Sequence, residues 1–174
     1  MGEDTETDTD TGEAVDEATL CFVREDDEVL LIEKKRGLGA GLYNGPGGKV
    51  EPGETPREAI VREVREELRI EVHDPTRLGD LLFYFGDDTL FRCHCYLTDS
   101  FEGTPTETPE ADPEWFHVDS IPYDEMWDDD RIWLPHLLAG ETVLGRFDFD
   151  ADGDELLDYE IESGEPLPAV REKR

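Results

Sequence analysis

At 174 residues the chain is long enough for one domain with a substantial core. Its 47 Asp and Glu residues against 16 Lys and Arg give a formal net charge of −31, which argues against nucleic acid and anionic membranes as partners, because both require basic surfaces. The acids are spread along the whole chain. We interpret them as an adaptation to concentrated salt, where screening shortens to about 3 Å at 1 M. An ordinary acidic protein with a disordered leader is the alternative.

The two ends of the chain and its cysteines set further bounds. Residues 1–17 are acidic, low in complexity and almost free of apolar side chains, which is typical of a disordered tail and not of a signal peptide. No apolar run approaches the roughly 20 residues of a membrane span. We therefore expect a cytoplasmic protein with one domain over residues 18–165 and a short tail over residues 166–174. Cys93 and Cys95 would share one face of a strand, which favours small buried hydrophobes over a zinc site or a disulfide.

The hydrophobic pattern alternates strands with two helical regions. In chain order it predicts a hairpin over residues 19–23 and 29–32, a helix that begins at residue 56, a hairpin over 77–85 and 89–99, a strand over 114–118, helices over 121–127 and 131–139, and a hairpin over 143–149 and 155–161. Pro135 must then lie in a first turn or kink its helix. The order of strands and helices predicts an α/β sandwich built on a mixed sheet.

The chain is organised around residues 48–70, GKVEPGETPREAIVREVREELRI. Thr55 can cap the helix, Pro56 suits its first position, and Glu58 completes a capping box. Apolar residues at helical spacing form one stripe. A second stripe beside it contains three glutamates, Glu63, Glu66 and Glu67. The spacing alone is equally consistent with a solvated acidic face.

The same stretch resembles the Nudix box, the signature of hydrolases that act on nucleoside diphosphates linked to another group. Gly48, Glu54 and the run 62–67, REVREE, fill every charged position of that signature at the required spacing. Arg69 stands where the family normally has a glycine that ends the helix in a left-handed conformation, and an arginine there costs roughly 1–2 kcal/mol. The resemblance implies the Nudix fold, an α/β/α sandwich around a mixed β-sheet.

Beyond the box, the chain is similar to the animal-type 8-oxo-dGTP diphosphatases of the Nudix family, which sanitise oxidised purine nucleoside triphosphates. The likeness covers about residues 19–161 and includes KKRG at 34–37, NG at 44–45, GGKV at 47–50, IP at 121–122, MW at 126–127, DD at 129–130 and LDY at 157–159. It implies hydrogen bonds to the purine from Asn44, Asp129 and Asp130, a stacking Trp127, and a pocket lined by Thr19, Lys34, Phe83 and Trp133. Leu38 stands where the animal enzymes have an aromatic residue.

The pair Asp129-Asp130 has two interpretations. Adjacent carboxyls that face a dry aromatic pocket repel each other, so one is expected to keep its proton and donate to a purine acceptor while the other accepts. Such a pair suits 8-oxoguanine, whose edge mixes donors and acceptors. An Asp before a helix is also a good N-cap, and the residues alone favour that explanation. The resemblance, together with the nearby Trp127, favours the purine.

For the metal, clustered carboxylates suit hard ions such as Mg²⁺ or Mn²⁺. We assign as ligands Glu63, Glu66 and Glu67 with the Gly47 carbonyl, and the resemblance adds Glu110 as a further ligand or a base. Arg62 is expected to pair with an acid of its own cluster, such as Glu54, and so to orient the ligands. The predicted reaction is attack of water on a phosphorus of the triphosphate, which releases a nucleoside monophosphate and pyrophosphate. Which glutamate deprotonates the water stays open.

Other functions compatible with the sequence are a Nudix hydrolase for ADP-ribose, a dinucleoside polyphosphate or a dinucleotide, an isomerase of isoprenoid biosynthesis, and a non-catalytic nucleotide-binding module. The isomerase would need a catalytic cysteine, and no cysteine lies near the box. Binding alone does not require four charged acids. We expect a monomer that acts on free nucleotides, in nucleotide-pool sanitation linked to DNA repair.

Overall fold

A computed structural model of the chain describes residues 16–37, 39–86 and 89–170. The predicted disordered tail, residues 1–17, lies outside these residues except for its last two positions. Asp16 and Glu17 belong to the first strand and align with Phe91 and Arg92, so that part of the prediction is wrong. The reason lies far along the chain: the Glu17 carboxylate is 2.6 Å from Nε2 of the buried His94 ring. This hydrogen bond is the main cause that lowers the pKa of Glu17.

The secondary structure follows the predicted alternation. The strands are β1 (Asp16–Glu25), β2 (Glu28–Lys34), β3 (Tyr43–Asn44), β4 (Gly47–Lys49), β5 (Glu71–Val72), β6 (Thr76–Phe85), β7 (Thr89–Thr98), β8 (Phe101–Glu102), β9 (Ala111–His117), β10 (Val143–Phe149) and β11 (Leu156–Ser163), and the helices are α1 (Pro56–Leu68) and α2 (Asp130–Leu138). All three predicted hairpins are confirmed as β1–β2, β6–β7 and β10–β11.

The main sheet is mixed, as predicted. Its strand order is β11-β10-β6-β7-β1-β2-β3, with β4 paired to β1 and β9 paired to β2. The pairs β1–β7 and β6–β10 are parallel, and the other pairs in the sheet are antiparallel. Strands β5 and β8 form a separate ribbon beside the end of α1.

The two helices cover opposite faces of this sheet. Along β1 the side chains alternate: Cys21 and Val23 pack in one core cluster with the apolar stripe of α1, whereas Phe22 packs in a second cluster with α2. The α1 stripe consists of Ile60, Val64 and Leu68, all fully buried. Since a strand sends successive side chains to opposite faces, both clusters are built on the same strands. The α/β/α sandwich is therefore confirmed.

Three local predictions are settled by the structure. The helix predicted over residues 121–127 is wrong, because only Tyr123–Glu125 form a single 3₁₀ turn, after which Met126 is extended. Pro135 lies inside α2 rather than in its first turn. The cysteines are free and buried, as expected. Within residues 16–37, 39–86 and 89–170, no helix has both the length and the apolar character needed to cross a membrane.

Candidate active site

Helix α1 starts and ends on local signals. The Thr55 side chain accepts a hydrogen bond from the Glu58 amide at 3.1 Å, and the Glu58 carboxylate accepts one from the Thr55 amide at 3.0 Å, so the predicted capping box is present. At the other end Arg69 adopts the left-handed conformation, with φ of 65°, and its N–H donates to the Arg65 carbonyl at 2.9 Å. The helix thus ends as a glycine would end it, at the conformational cost of a larger residue.

Arg62 joins the acids around the start of α1. Its Nε and Nη2 donate to the two oxygens of Glu54 at 2.6 and 2.9 Å, the predicted pairing in its bidentate form. Its Nη1 also donates to Glu63 at 3.1 Å and to Glu66 at 3.3 Å, while Nη2 reaches the Lys49 carbonyl at 3.1 Å. The hydrogen bond to Glu54 is the main cause that raises the pKa of Arg62. One guanidinium therefore fixes the β4–α1 connection to the helix.

Among the glutamates of the stretch that resembles the Nudix box, Glu67 is the most buried, with 4% of its surface exposed. Its Oε1 accepts a hydrogen bond from the Gly47 amide at 2.8 Å. Burial raises the pKa of this carboxyl to about 8, and nearby Glu63 and Glu110 add to the rise, whereas the Gly47 N–H and Lys34 oppose it. Burial likewise raises the pKa of Glu63 against the opposing effect of Arg62. A negative charge on either carboxyl would therefore be incompletely balanced by the groups around it.

The two glycines that face α1 leave no space for a side chain. A Cβ at Gly48 would lie 2.4 Å from Cδ of Glu63, and one at Gly47 would lie 1.9 Å from the Thr19 carbonyl oxygen. The Thr19 hydroxyl donates to the Gly48 carbonyl at 2.9 Å, which ties β1 to β4 at this point. Close approach of α1 accounts for Gly48, whereas the backbone of the neighbouring strand β1 leaves no room for a side chain at Gly47.

A cavity of about 530 Å³ opens beside β4 on the face of the sheet that α2 covers. Its walls include all eight residues predicted to bind the substrate, namely Thr19, Lys34, Asn44, Phe83, Trp127, Asp129, Asp130 and Trp133, together with Gly47 and Glu67. Glu63, Glu66, Glu110 and Arg62 do not line it. Glu67 is thus the glutamate of the Nudix box that connects the glutamate cluster with the cavity.

Asp129 and Asp130 lie in this cavity wall and are almost fully buried, with 3% and 2% of their surfaces exposed. Asp129 Oδ2 accepts a hydrogen bond from the Trp133 indole at 2.6 Å, and its side chain does not cap α2 although the residue is at the N-cap position. The N-cap interpretation is therefore wrong for Asp129. Among the described residues, Asp130 Oδ2 has no hydrogen-bond partner. Burial raises the pKa of Asp129 to about 6 and that of Asp130 well above its ordinary value, the charge of Asp129 adding to the second shift.

Comparison with known proteins gives the family. Residues 15–137 match the NUDIX domain. The chain belongs to the NUDIX family. It is therefore a hydrolase of that family, and the matched residues include the whole of the stretch on α1 that resembles the Nudix box.

Relatives and solved structures support this assignment over most of the chain. A Danio rerio protein named oxidized purine nucleoside triphosphate hydrolase is 40% identical over 150 residues, which cover 86% of this chain and 96% of that protein. The Mus musculus protein of the same name is 42% identical over 144 residues, covering 82% and 92%. The crystal structure of a MutT protein from Bacillus halodurans superposes with a TM-score of 0.78 at 30% identity, covering 87% of this chain and all of that one.

NUDIX hydrolases generally use divalent metal ions, and the donor chemistry of the box fits such an ion. Carboxylate oxygens are the ligands of hard cations, and the raised pKa values of Glu63 and Glu67 mark negative charge that a cation would balance. Within the described ranges, however, no three His, Cys, Asp or Glu side chains are already arranged to hold an ion. Arg62 engages Glu63 and Glu66, and Glu110 lies 3.9 Å from Arg36. The predicted ligand set stays a prediction. To bind an ion, Glu63 and Glu66 would have to rotate away from Arg62, and Glu110 away from Arg36.

The aromatic wall of the cavity was only partly predicted. Phe85, Phe91 and Phe149 line it alongside Phe83 and Trp127. Phe83 stacks on Phe91 at 5.2 Å between ring centroids, and Phe85 stacks on Phe149 at 5.5 Å. The alternating phenylalanines of residues 83–85 and 147–149 are a visible signal in the sequence. This signal identifies the wall of a cavity only once the parallel pairing of β6 with β10 is known, because that pairing places Phe85 beside Phe149.

Proposed function

We propose that this NUDIX hydrolase cleaves oxidised purine nucleoside triphosphates such as 8-oxo-dGTP to the monophosphate and pyrophosphate, with Mg²⁺ as the metal and Mn²⁺ as a substitute. The observation that supports it best is the buried pair Asp129–Asp130 in the wall of an aromatic cavity that also reaches Glu67. The names of the Danio rerio and Mus musculus relatives point to the same substrates.

In this proposal the base is recognised by the aspartate pair. Asp130, whose burial and charged neighbour raise its pKa, keeps its proton and donates through the oxygen that lacks a partner in the described residues. Asp129, with a pKa of about 6, is mostly ionised near neutral pH and accepts from a purine N–H. Asn44 accepts from the Gly45 amide through Oδ1 at 2.8 Å, so its orientation is set before the base binds. Trp127 stacks on the purine.

The triphosphate lies on the Glu67 side of the cavity. Mg²⁺ would be held by Glu63, Glu66, Glu67 and the Gly47 carbonyl, with Glu110 as a further ligand or the base. When bound, the ion supplies positive charge that stabilises the phosphoryl oxygens. Lys34, which lines the cavity near Glu67, pairs with phosphate oxygens. A water oxygen forms the new bond to a phosphorus of the triphosphate, the P–O bond between the α- and β-phosphoryl groups breaks to give the monophosphate and pyrophosphate, and a glutamate takes the proton of the water.

The proposal extends to the setting of the enzyme. We place it in the cytoplasm as a monomer that acts on free nucleotides for pool sanitation, and so in the service of DNA repair. The net charge of −31 supports free nucleotides over nucleic acid polymers and also supports adaptation to concentrated salt. A thermal unfolding midpoint that rises with KCl concentration is expected for such a surface.

The decisive experiment measures pyrophosphate and monophosphate release by the full chain with Mg²⁺ in high salt. The panel contains 8-oxo-dGTP, dGTP, ADP-ribose and a dinucleoside polyphosphate. We expect kcat/KM for 8-oxo-dGTP to exceed that for dGTP by at least about tenfold, the value of one or two hydrogen bonds to the base. A preference for ADP-ribose or the dinucleoside polyphosphate would overturn the substrate assignment, and nucleotide binding without turnover would indicate a binding module.

A further inference from the structure

Trp127 lies against two glycine turns that are distant in sequence. A Cβ placed at Gly39, in the loop after β2, would lie 2.9 Å from Nε1 and 3.4 Å from Cε2 of the Trp127 indole. A Cβ placed at Gly153, in the β10–β11 turn, would lie 3.2 Å from Cζ3 of the same indole and 3.2 Å from Cε1 of Phe85. The first contact is with the pyrrole side of the indole and the second with its benzene ring. A side chain at either glycine would therefore require the indole or its neighbours to shift.

The remaining contacts of Trp127 are aromatic. Its ring meets Phe85 edge-on at 6.1 Å between centroids and Phe149 edge-on at 5.8 Å. These phenylalanines are the last residues of the parallel strands β6 and β10 and are paired with each other. Trp127 itself follows the 3₁₀ turn and precedes α2, so its own segment does not belong to the sheet. The position of the indole is thus set by packing from outside its segment.

From these contacts we propose that Gly39 and Gly153 are positioning residues for substrate binding. Their missing side chains let the two turns close on Trp127 and hold its indole against Phe85 and Phe149, which completes the wall of the cavity that receives the purine. The proposal rests on the proposed function, because it takes Trp127 as the surface on which the base stacks.

Backbone conformation alone does not account for the two glycines. Gly39 and Gly153 have φ values of +83° and +79°, which favour glycine anywhere. Gly41 and Gly140 have φ values of +92° and +86°, yet a Cβ at either would meet no atom within 4 Å. The chain therefore offers matched pairs in which the backbone strain is similar and only the contact with Trp127 differs.

The first test compares Gly39→Ala with Gly41→Ala. The new methyl at residue 39 must push the indole aside, so we expect KM for 8-oxo-dGTP to rise about tenfold with kcat changed by less than about twofold, whereas Gly41→Ala stays within about twofold of wild type in KM. The second pair, Gly153→Ala against Gly140→Ala, should show a smaller rise of about threefold, because its closest contact is 3.2 Å rather than 2.9 Å. This second pair still tests the proposal if Gly39→Ala does not fold.

Trp127→Leu provides the control for mechanism. If the glycines act through the indole, Gly39→Ala in the Trp127→Leu background should change KM no more than Gly41→Ala does in that background. A ligand-free measurement is independent of the substrate: the indole N–H signal of Trp127 in a ¹H–¹⁵N spectrum, assigned by its loss in Trp127→Leu, should shift in Gly39→Ala and stay in place in Gly41→Ala.

The outcomes separate the two proposals. A wild-type enzyme that hydrolyses other nucleotides, together with a shifted indole signal in Gly39→Ala, would overturn the substrate but leave the positioning role. Equal effects of the matched alanines on both KM and the indole signal, or an undiminished Gly39→Ala effect without Trp127, would overturn the positioning role.

Discussion

Replacing Asp129 by Asn is expected to stabilise the protein at neutral pH while it impairs substrate recognition. Burial raises the pKa of Asp129 from 3.8 to about 6, a shift of roughly two units at about 1.4 kcal/mol each. A carboxyl whose pKa is higher in the folded state binds its proton more tightly there, so stability falls as the pH rises from about 4 to about 6 and stays lower above that. The ionised group thus costs the fold about 3 kcal/mol at pH 7. An amide has no such cost, and its oxygen can still accept from the Trp133 indole.

The assay is urea unfolding of wild type and Asp129→Asn at constant high salt from pH 4 to pH 7.5. We expect the variant to be more stable by about 3 kcal/mol at pH 7, with a difference that shrinks towards zero near pH 4. Asp128→Asn is the matched control, since the exposed neighbour should change stability by less than about 0.5 kcal/mol at every pH. Turnover of 8-oxo-dGTP by Asp129→Asn should fall at least about tenfold. A variant less stable than wild type at pH 7 would refute the view that burial dominates at Asp129.

Three further substitutions test other parts of the structure. Glu67→Gln should fold normally, because its amide oxygen can accept from Gly47, but should lower kcat at least about a hundredfold; a rate near wild type would remove Glu67 from the site. Arg69→Gly should raise the unfolding free energy measured in urea by about 1 kcal/mol, since glycine adopts the left-handed conformation without strain. An unchanged unfolding free energy would mean that Arg69 is not strained at the end of α1. Although burial raises the pKa of Asp80, hydrogen bonds and charge from Arg92 and Arg77 hold it below its usual value, so Asp80→Asn should cost about 3 kcal/mol at pH 7. That loss should begin to shrink as the pH falls below the ordinary Asp pKa and should vanish only below the lowered pKa of folded Asp80, so a pH-independent loss would contradict the pairing.

Local signals explain which parts of the fold could be predicted. Helix α1 was predictable because Thr55, Pro56 and Glu58 determine its start within four residues, and the Arg62–Glu54 pair spans only eight positions. That the residues of the base cavity would lie together could be expected only from resemblance to a family and not from local physics, since the cavity unites side chains from β1 to α2.

Long-range contacts explain what could not be predicted. Glu17 looked like part of an acidic tail because its partner, His94, is 77 residues away. The phenylalanine wall depends on the register that pairs Phe85 with Phe149, which no local pattern contains. The segment 121–127 has a helical pattern of apolar residues, but only one 3₁₀ turn forms before the chain extends at Met126 and then enters α2.

Asp130 and Glu67 are both buried in the cavity wall, but their surroundings differ, and this difference suits the two carboxyls to different chemistry. Burial raises the pKa at both, yet the neighbours that shift Asp130 within the described structure are Asp129, Cys93 and the Trp127 backbone, with no cation among them. Glu67 instead has Lys34 and the Gly47 N–H beside it. A buried carboxyl without a cation keeps its proton and becomes a donor suited to a base, whereas Glu67, which lies beside one lysine and the carboxylates Glu63 and Glu110, can exchange its proton for a divalent ion that those carboxylates share. One cavity can therefore bind a neutral base at one end and a metal-bound polyphosphate at the other.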